Sequence, residues 1–214
     1  MHSVEACLAA GDVTGNPVWH TRAASIAARL IDHAWAHSWR IPEHYDERWR
    51  PQQEYNLDRP NDRFRPYGTT PGHSFEWARL LLTLEAAQAD PPVWLPEAAT
   101  ALFDTAVADA EGPDGHPGLI YTVAANGRPV VAARLHWVAC EAVLAADALH
   151  RRTGALAHWR GTLRRGLGAV VGRDRPLLPA PVAPADPDRG HRAGQAEARR
   201  RASWPDLVTR PAAV

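Results

Sequence analysis

A chain of 214 residues with 45% hydrophobic content can bury the core of one domain, and its charges balance to zero. No apolar run is long enough to cross a bilayer and no basic segment leads an apolar one, so a cytoplasmic location is expected. The balance hides an asymmetry: residues 1–159 hold 13 Arg against 19 acidic residues (−6), and residues 160–214 hold 11 against 5 (+6).

The first ten residues, MHSVEACLAA, read as a helix already in progress, and Gly11 to Gly15 read as its turn. Asn16 then caps a long helix over residues 17–37, with Pro17 at its first position. Val18, Ala24, Ile26, Leu30, Ala34 and Trp35 are its predicted apolar stripe. Residues 38–72 form a long polar connection, and structureless connections of this length are usually functional. Trp49, Tyr55, Phe64 and Tyr67 beside Arg48, Arg50, Arg63 and Arg65 suit stacking on a polar ring such as a sugar, or a small aromatic core of the loop itself.

Helices are expected over 73–89, from Pro91-Pro92 to about Ala110, over 132–152 and, more weakly, over 155–171. Between them lie a turn from Gly112 to Gly118, a short strand Leu119–Val123, an Asn126-Gly127 hairpin turn and the strand Pro129–Val131. Cys7 and Cys140 sit in Ala-, Val- and Leu-rich surroundings and read as buried reduced thiols. From Gly172 the chain is rich in Pro, Ala and Arg without any period, so residues 172–214 read as a disordered tail behind a domain at 1–171. That basic tail lacks interleaved aromatics and is broken by proline, which argues against a nucleic-acid partner.

The stretch PYGTTPGHSFEWARLLL, Pro66 to Leu82, organises the rest. Its first half is loop chemistry and its second half an unbroken run of helix formers, so a helix starts near His73 with Thr70 or Ser74 as cap. His73 and Glu76 are three apart and share a face of the first turn. A side chain there can face a cavity and still be rigidly held. A faint repeat supports the same picture: His2-Ser3-Val4-Glu5-Ala6, His73-Ser74-Phe75-Glu76-Trp77, and His136-Trp137 with Glu141-Ala142 open successive helical pairs. Such recurring hairpins describe an all-α class and part of an α/α toroid, about three helical hairpins with one small β-hairpin.

At these residues a resemblance enters. MHSVEA, the run from HYDERWRPQQEYN to PGHSFEWARLLL, and RLHWVACEA resemble the N-acylglucosamine 2-epimerase family, most of all its mannose isomerase and sulfoquinovose isomerase branch. The resemblance runs from Met1 to about Gly154 and implies an (α/α)6 barrel without metal or cofactor. It also implies a monosaccharide substrate, interconverted at carbons 1 and 2 through an enediolate. His73 matches the family's catalytic histidine and Glu76 the glutamate beside it. His2, Trp137 and Glu141 match substrate-binding positions on inner helices, and Arg65 and Tyr67 fall near the pocket mouth as further substrate-binding candidates.

Two departures from the family pattern shape the expectation. The family's barrel begins well before the position matched by Met1, so the chain is expected to be a fragment. The family's second catalytic histidine falls at Thr209, after Ser203-Trp204-Pro205-Asp206, as a shifted reading frame would produce.

Moving a proton between adjacent sugar carbons needs a base that can return it as an acid, which an imidazole does near neutral pH. Glu76, one turn away, is expected to fix the ring's tautomer, and His2 to stabilise the enediolate oxygen. An N-acylhexosamine or cellobiose-type 2-epimerase would share the intermediate. Other readings are a metal site from the His-x-x-Glu turns at 2–5 and 73–76, a glycosidase pair of Glu76 and Glu141, and an inactive remnant that at most binds carbohydrate and self-associates through open barrel edges.

Overall fold

In the computed structural model, which describes residues 1–111 and 116–154, the order is α1 (His2–Thr14), α2 (Val18–Ala36), α3 (Pro71–Ala86), α4 (Trp94–Ala110), β1 (Thr122–Val123), β2 (Pro129–Val131) and α5 (His136–Thr153). The expected helix at 155–171, the tail at 172–214 and Thr209 lie outside the described residues, as does part of the turn at 112–118. The class is all-α with one small hairpin, as the sequence led us to expect.

Helix α1 runs through the predicted turn at Gly11 and ends on Gly15, which takes the left-handed conformation (φ 64°) and donates its N–H to the Gly11 carbonyl at 2.8 Å. Gly11 is interior because the α2 side chain His20 lies against it. A Cβ at that position would run into the imidazole, so glycine here allows a close approach rather than a turn. The buried stripe of α2 is Ala23, Ala27, Ile31 and Ala34, whereas Val18 and Ile26 are exposed. Of the predicted stripe Ala34 is buried, and Ala24, Leu30 and Trp35 are half-buried against the core, so the buried face is rotated toward Ala23, Ala27 and Ile31. Asn16 does cap, accepting the Val18 N–H on Oδ1 at 3.0 Å.

Helix α3 starts at Pro71, two residues before the expected His73, because proline needs no N–H partner in the first turn. It lies at the centre of the packing, against α4 along one side and α5 along another, with α1 meeting it as well. Phe75, Leu81 and Leu84 are fully buried, and the Phe75 ring meets Phe103 of α4 edge-on at 5.3 Å. Arg152 at the end of α5 donates three hydrogen bonds of 2.9–3.1 Å to Glu85 of α3.

The predicted strand at 119–123 shortens to Thr122–Val123, which pairs antiparallel with Pro129–Val131 around a turn holding Gly127 at φ 81°. A backbone bridge between Thr69 and Val123 (2.7 and 3.0 Å) ties this hairpin to the lead-in of α3. Helix α5 starts at His136 rather than at 132, since Leu135 is extended (φ −96°, ψ 136°). Its buried face is Val138, Ala139, Ala142, Ala145, Ala146 and Leu149, which leaves Cys140 exposed, and Cys7 is only half-buried. Both thiols are free, but neither is the core residue that its surroundings suggested. Among the described residues no helix is long and apolar enough to cross a membrane.

The 37–70 connection folds on itself. His44 stacks on Tyr55 (4.5 Å), and Tyr45 lies between His33 (5.2 Å) and Trp49 (5.8 Å), so part of its aromatic content forms a small core of its own. Phe64 stays exposed at the rim. Arg40 anchors the start of the connection on Asp109 of α4 through two hydrogen bonds of 2.7 and 2.8 Å.

Candidate active site

His73 occupies the third position of α3, where the first turn is rigid and the ring can reach past the helix end. A cleft of ≈ 410 Å³ opens beside it. The long connection lines this cleft with Glu43, His44 and residues 63–66, the start of α3 with Thr70 and His73, and the hairpin with Tyr121. A small cavity of ≈ 20 Å³, lined by His37, Arg40, Gln52 and Thr69 among others, also borders Glu43.

The carboxylate on the His73 ring is Glu43, with Nδ1 2.9 Å from each of its oxygens. The contact expected from Glu76 is not made: it is the loop residue that reaches the imidazole, and Glu76 acts on it only through its charge. Burial by itself lowers the His73 pKa, but the Glu43 hydrogen bond and charge, with Glu76 adding to them, outweigh it and hold the ring above the ordinary 6.5. On the ring's other side Trp137 of α5 lies tilted at 36° with centroids 5.3 Å apart, and Tyr121 meets that indole edge-on at 6.2 Å. The indole reaches His73 only because residue 72 is glycine; a Cβ there would come within 2.5 Å of Trp137 Cη2 and Cζ3.

Glu76 is 9% exposed, and its carboxylate makes no hydrogen bond among the described residues. Burial raises its pKa above 4.5, and the nearby charges of Glu141 and Glu5 raise it further against the pull of His73 and Arg79. Glu141 of α5 is held by Arg79 of α3, whose Nη2 is 3.3 Å away and also 3.9 Å from Glu5 of α1. One guanidinium of α3 thus faces carboxylates of both α1 and α5. His2 has a side chain 87% exposed and lies on Glu5 at 2.9 Å, away from the His73 ring contacts. His2, Glu5 and Glu76 have ligand atoms within 4.8 Å of one another and could share a cation. Of the second His-x-x-Glu turn only Glu76 joins them, since His73 is turned to Glu43.

Arg65 lines the cleft with its guanidinium on the Tyr55 hydroxyl at 3.1 Å, while Tyr67 is buried and does not line it. The fold therefore brings His73, Trp137 and Arg65 to the cleft region and places Glu76 and Glu141 along the inner helices. Glu43, Arg79 and Tyr121 are the residues that sequence reasoning missed. Arg79 was findable, being one turn beyond Glu76 on the same helical face. Nothing in the spacing of the long connection singles out Glu43.

Comparison with known proteins agrees with this architecture. The sequence profile of the N-acylglucosamine 2-epimerase (GlcNAc 2-epimerase) family matches residues 1–166. A D-mannose isomerase of Pseudomonas cannabina pv. alisalensis is 50% identical over 159 residues, which are 72% of this chain and 38% of that protein. A D-mannose isomerase of Thermobifida fusca is 47% identical over 165 residues, 76% of this chain and 40% of that one. A crystal structure of a D-mannose isomerase superposes with a TM-score of 0.72 at 30% identity, covering 78% of this chain and 42% of that one. The chain spans about two-fifths of the length of the curated relatives it matches. With a matching profile over most of its length, the chain belongs to the N-acylglucosamine 2-epimerase family.

Proposed function

We propose that this site serves aldose–ketose isomerisation of a mannose-like monosaccharide. The observation that carries the reading is the His73 imidazole, fixed through Nδ1 by a carboxylate and open to a polar cleft. In the proposed step His73 takes the proton from carbon 2 of the open-chain aldose. The C–H electron pair becomes the carbon 1–carbon 2 double bond, and the negative charge moves to the oxygen on carbon 1. The imidazolium returns its proton to carbon 1 while the hydroxyl proton on carbon 2 passes to the oxygen on carbon 1, giving the ketose. Glu76, which keeps its proton to higher pH than an ordinary carboxyl, can donate a hydrogen bond to a sugar oxygen. Trp137 beside the His73 ring and Arg65 on the cleft wall are the proposed substrate contacts, with Glu141 further along α5, whereas buried Tyr67 and exposed His2 lie off the cleft lining.

The test is incubation with D-mannose in deuterated water, following ketose formation and deuterium incorporation. Ketose is expected from the wild type, and His73→Ala is expected to lower its rate by about 10²-fold or more. Equal turnover in that variant removes His73 from the chemistry. A second reading, carbohydrate binding without turnover, is favoured by the exposure of His2, whose side chain is 87% exposed and lies on Glu5. Saturation-transfer NMR signals from D-mannose without ketose formation would select it.

A further inference from the structure

Helix α3 begins in an unusual way. Its N-cap, Thr70, makes no side-chain cap hydrogen bond, and Pro71 brings no N–H to the first position. In a capping box the side chain of the third helical residue reaches back to the N–H of the N-cap. The third residue here is His73, and its imidazole does not do so. The Thr70 N–H instead donates to Glu43 Oε1 at 3.0 Å, and the same carboxylate takes the His73 ring at 2.9 Å. A residue 27 positions upstream therefore closes the box from outside the helix.

We propose that Glu43 is a positioning residue, which holds His73 with its proton on Nδ1 and so presents Nε2 to the cleft. An imidazole with Nδ1 against two carboxylate oxygens donates from that nitrogen, and the neutral ring then has its lone pair on Nε2. When the ring accepts a proton at Nε2, the Glu43 charge stabilises the imidazolium without the ring having to move. Glu76 faces the same ring from α3, and the α-amino group of Met1 faces it from α1, but neither is hydrogen-bonded to it. The anchoring is rigid because Glu43 is largely buried and holds the first turn of α3 as well as the ring. The reason that orientation matters rests on the isomerase reading, whereas the orientation itself does not.

The experiment uses the full chain with ¹⁵N-labelled histidine and no ligand. Long-range proton–nitrogen correlation is expected to show neutral His73 protonated on Nδ1, with a pKa above the ordinary 6.5. Glu43→Gln retains an acceptor for the Thr70 N–H, so the helix start survives, and only the charge is lost. The His73 pKa is expected to fall in that variant as the Glu43 charge is lost, and Glu43→Asp to recover part of the fall. In the D-mannose assay kcat is expected to drop by about 10²- to 10⁴-fold, with KM changed less than about twofold. A wild-type ring protonated on Nε2, or a His73 pKa unmoved by Glu43→Gln, overturns the proposal. If both NMR results hold and no ketose forms from D-mannose, the positioning role stands and the isomerase reading falls.

Discussion

Glu76 shows how one buried carboxyl links stability to function. A carboxylate partly withdrawn from water and without a donor among the described residues destabilises the fold that holds it. Burial first, then Glu141 and Glu5, raise its pKa above 4.5, so the folded state binds its proton more tightly than the unfolded chain does. Its contribution to stability is therefore fully present below about pH 4.5 and is lost as pH rises through the folded pKa. Glu76→Gln keeps the shape and removes the charge. Its urea midpoint is expected to lie above that of the wild type near pH 8 and to match it near pH 4. A lower midpoint near pH 8 would mean that the ionised group has a stabilising partner. Under the isomerase reading the same variant loses turnover, so stability and activity would move in opposite directions.

Between elements, the charges are not interchangeable. Arg79 joins α3 to Glu141 of α5 and Glu5 of α1, with its side chain 26% exposed and that of Glu141 20% exposed. Arg79→Met would leave Glu5, Glu76 and Glu141 facing one another without a cation. The expected loss is about 1–2 kcal/mol near neutral pH, shrinking as the carboxylates protonate. The bidentate Arg152–Glu85 pair has better geometry but an Arg side chain 52% exposed. Arg152→Met is expected to cost less than Arg79→Met, because solvent screens the pair. Urea curves of the two variants at neutral and acid pH decide the order, and equal losses would contradict this ranking by burial.

Across the whole molecule, the core is continuous through α3 and α4 and carries the site on its edge. Phe75 and Phe103 are fully buried and in contact, whereas Phe64 at the cleft is 84% exposed. Phe75→Ala is expected to lose about 3–5 kcal/mol, a large part of the about 5–15 kcal/mol that holds a domain together. Phe64→Ala is expected to stay within about 0.5 kcal/mol of the wild type. Thermal unfolding of both variants checks the pair. A Phe64→Ala variant as damaged as Phe75→Ala would show that the cleft rim is part of the core. The cleft itself belongs to no single element, since the long connection, the first turn of α3 and the hairpin each supply part of its lining.

The sequence by itself determined the helices, the hairpin and the face that carries His73, because these depend on spacing along a few neighbouring residues. The period of the apolar residues, Pro71 at a helix start and Gly127 in a turn act locally and were legible. Where the local rule met a neighbour, it failed: Gly11 became a contact under His20, Val18 and Ile26 of α2 turned outward, and Cys140 turned out to solvent. The partners of the site depended wholly on the tertiary structure. Glu43 lies 30 residues from His73, and Arg79 lies 62 residues from Glu141. No spacing in the chain encodes either pairing. Each exists only because the connection folds back over the start of α3, and because α1 and α5 both come to rest against that helix.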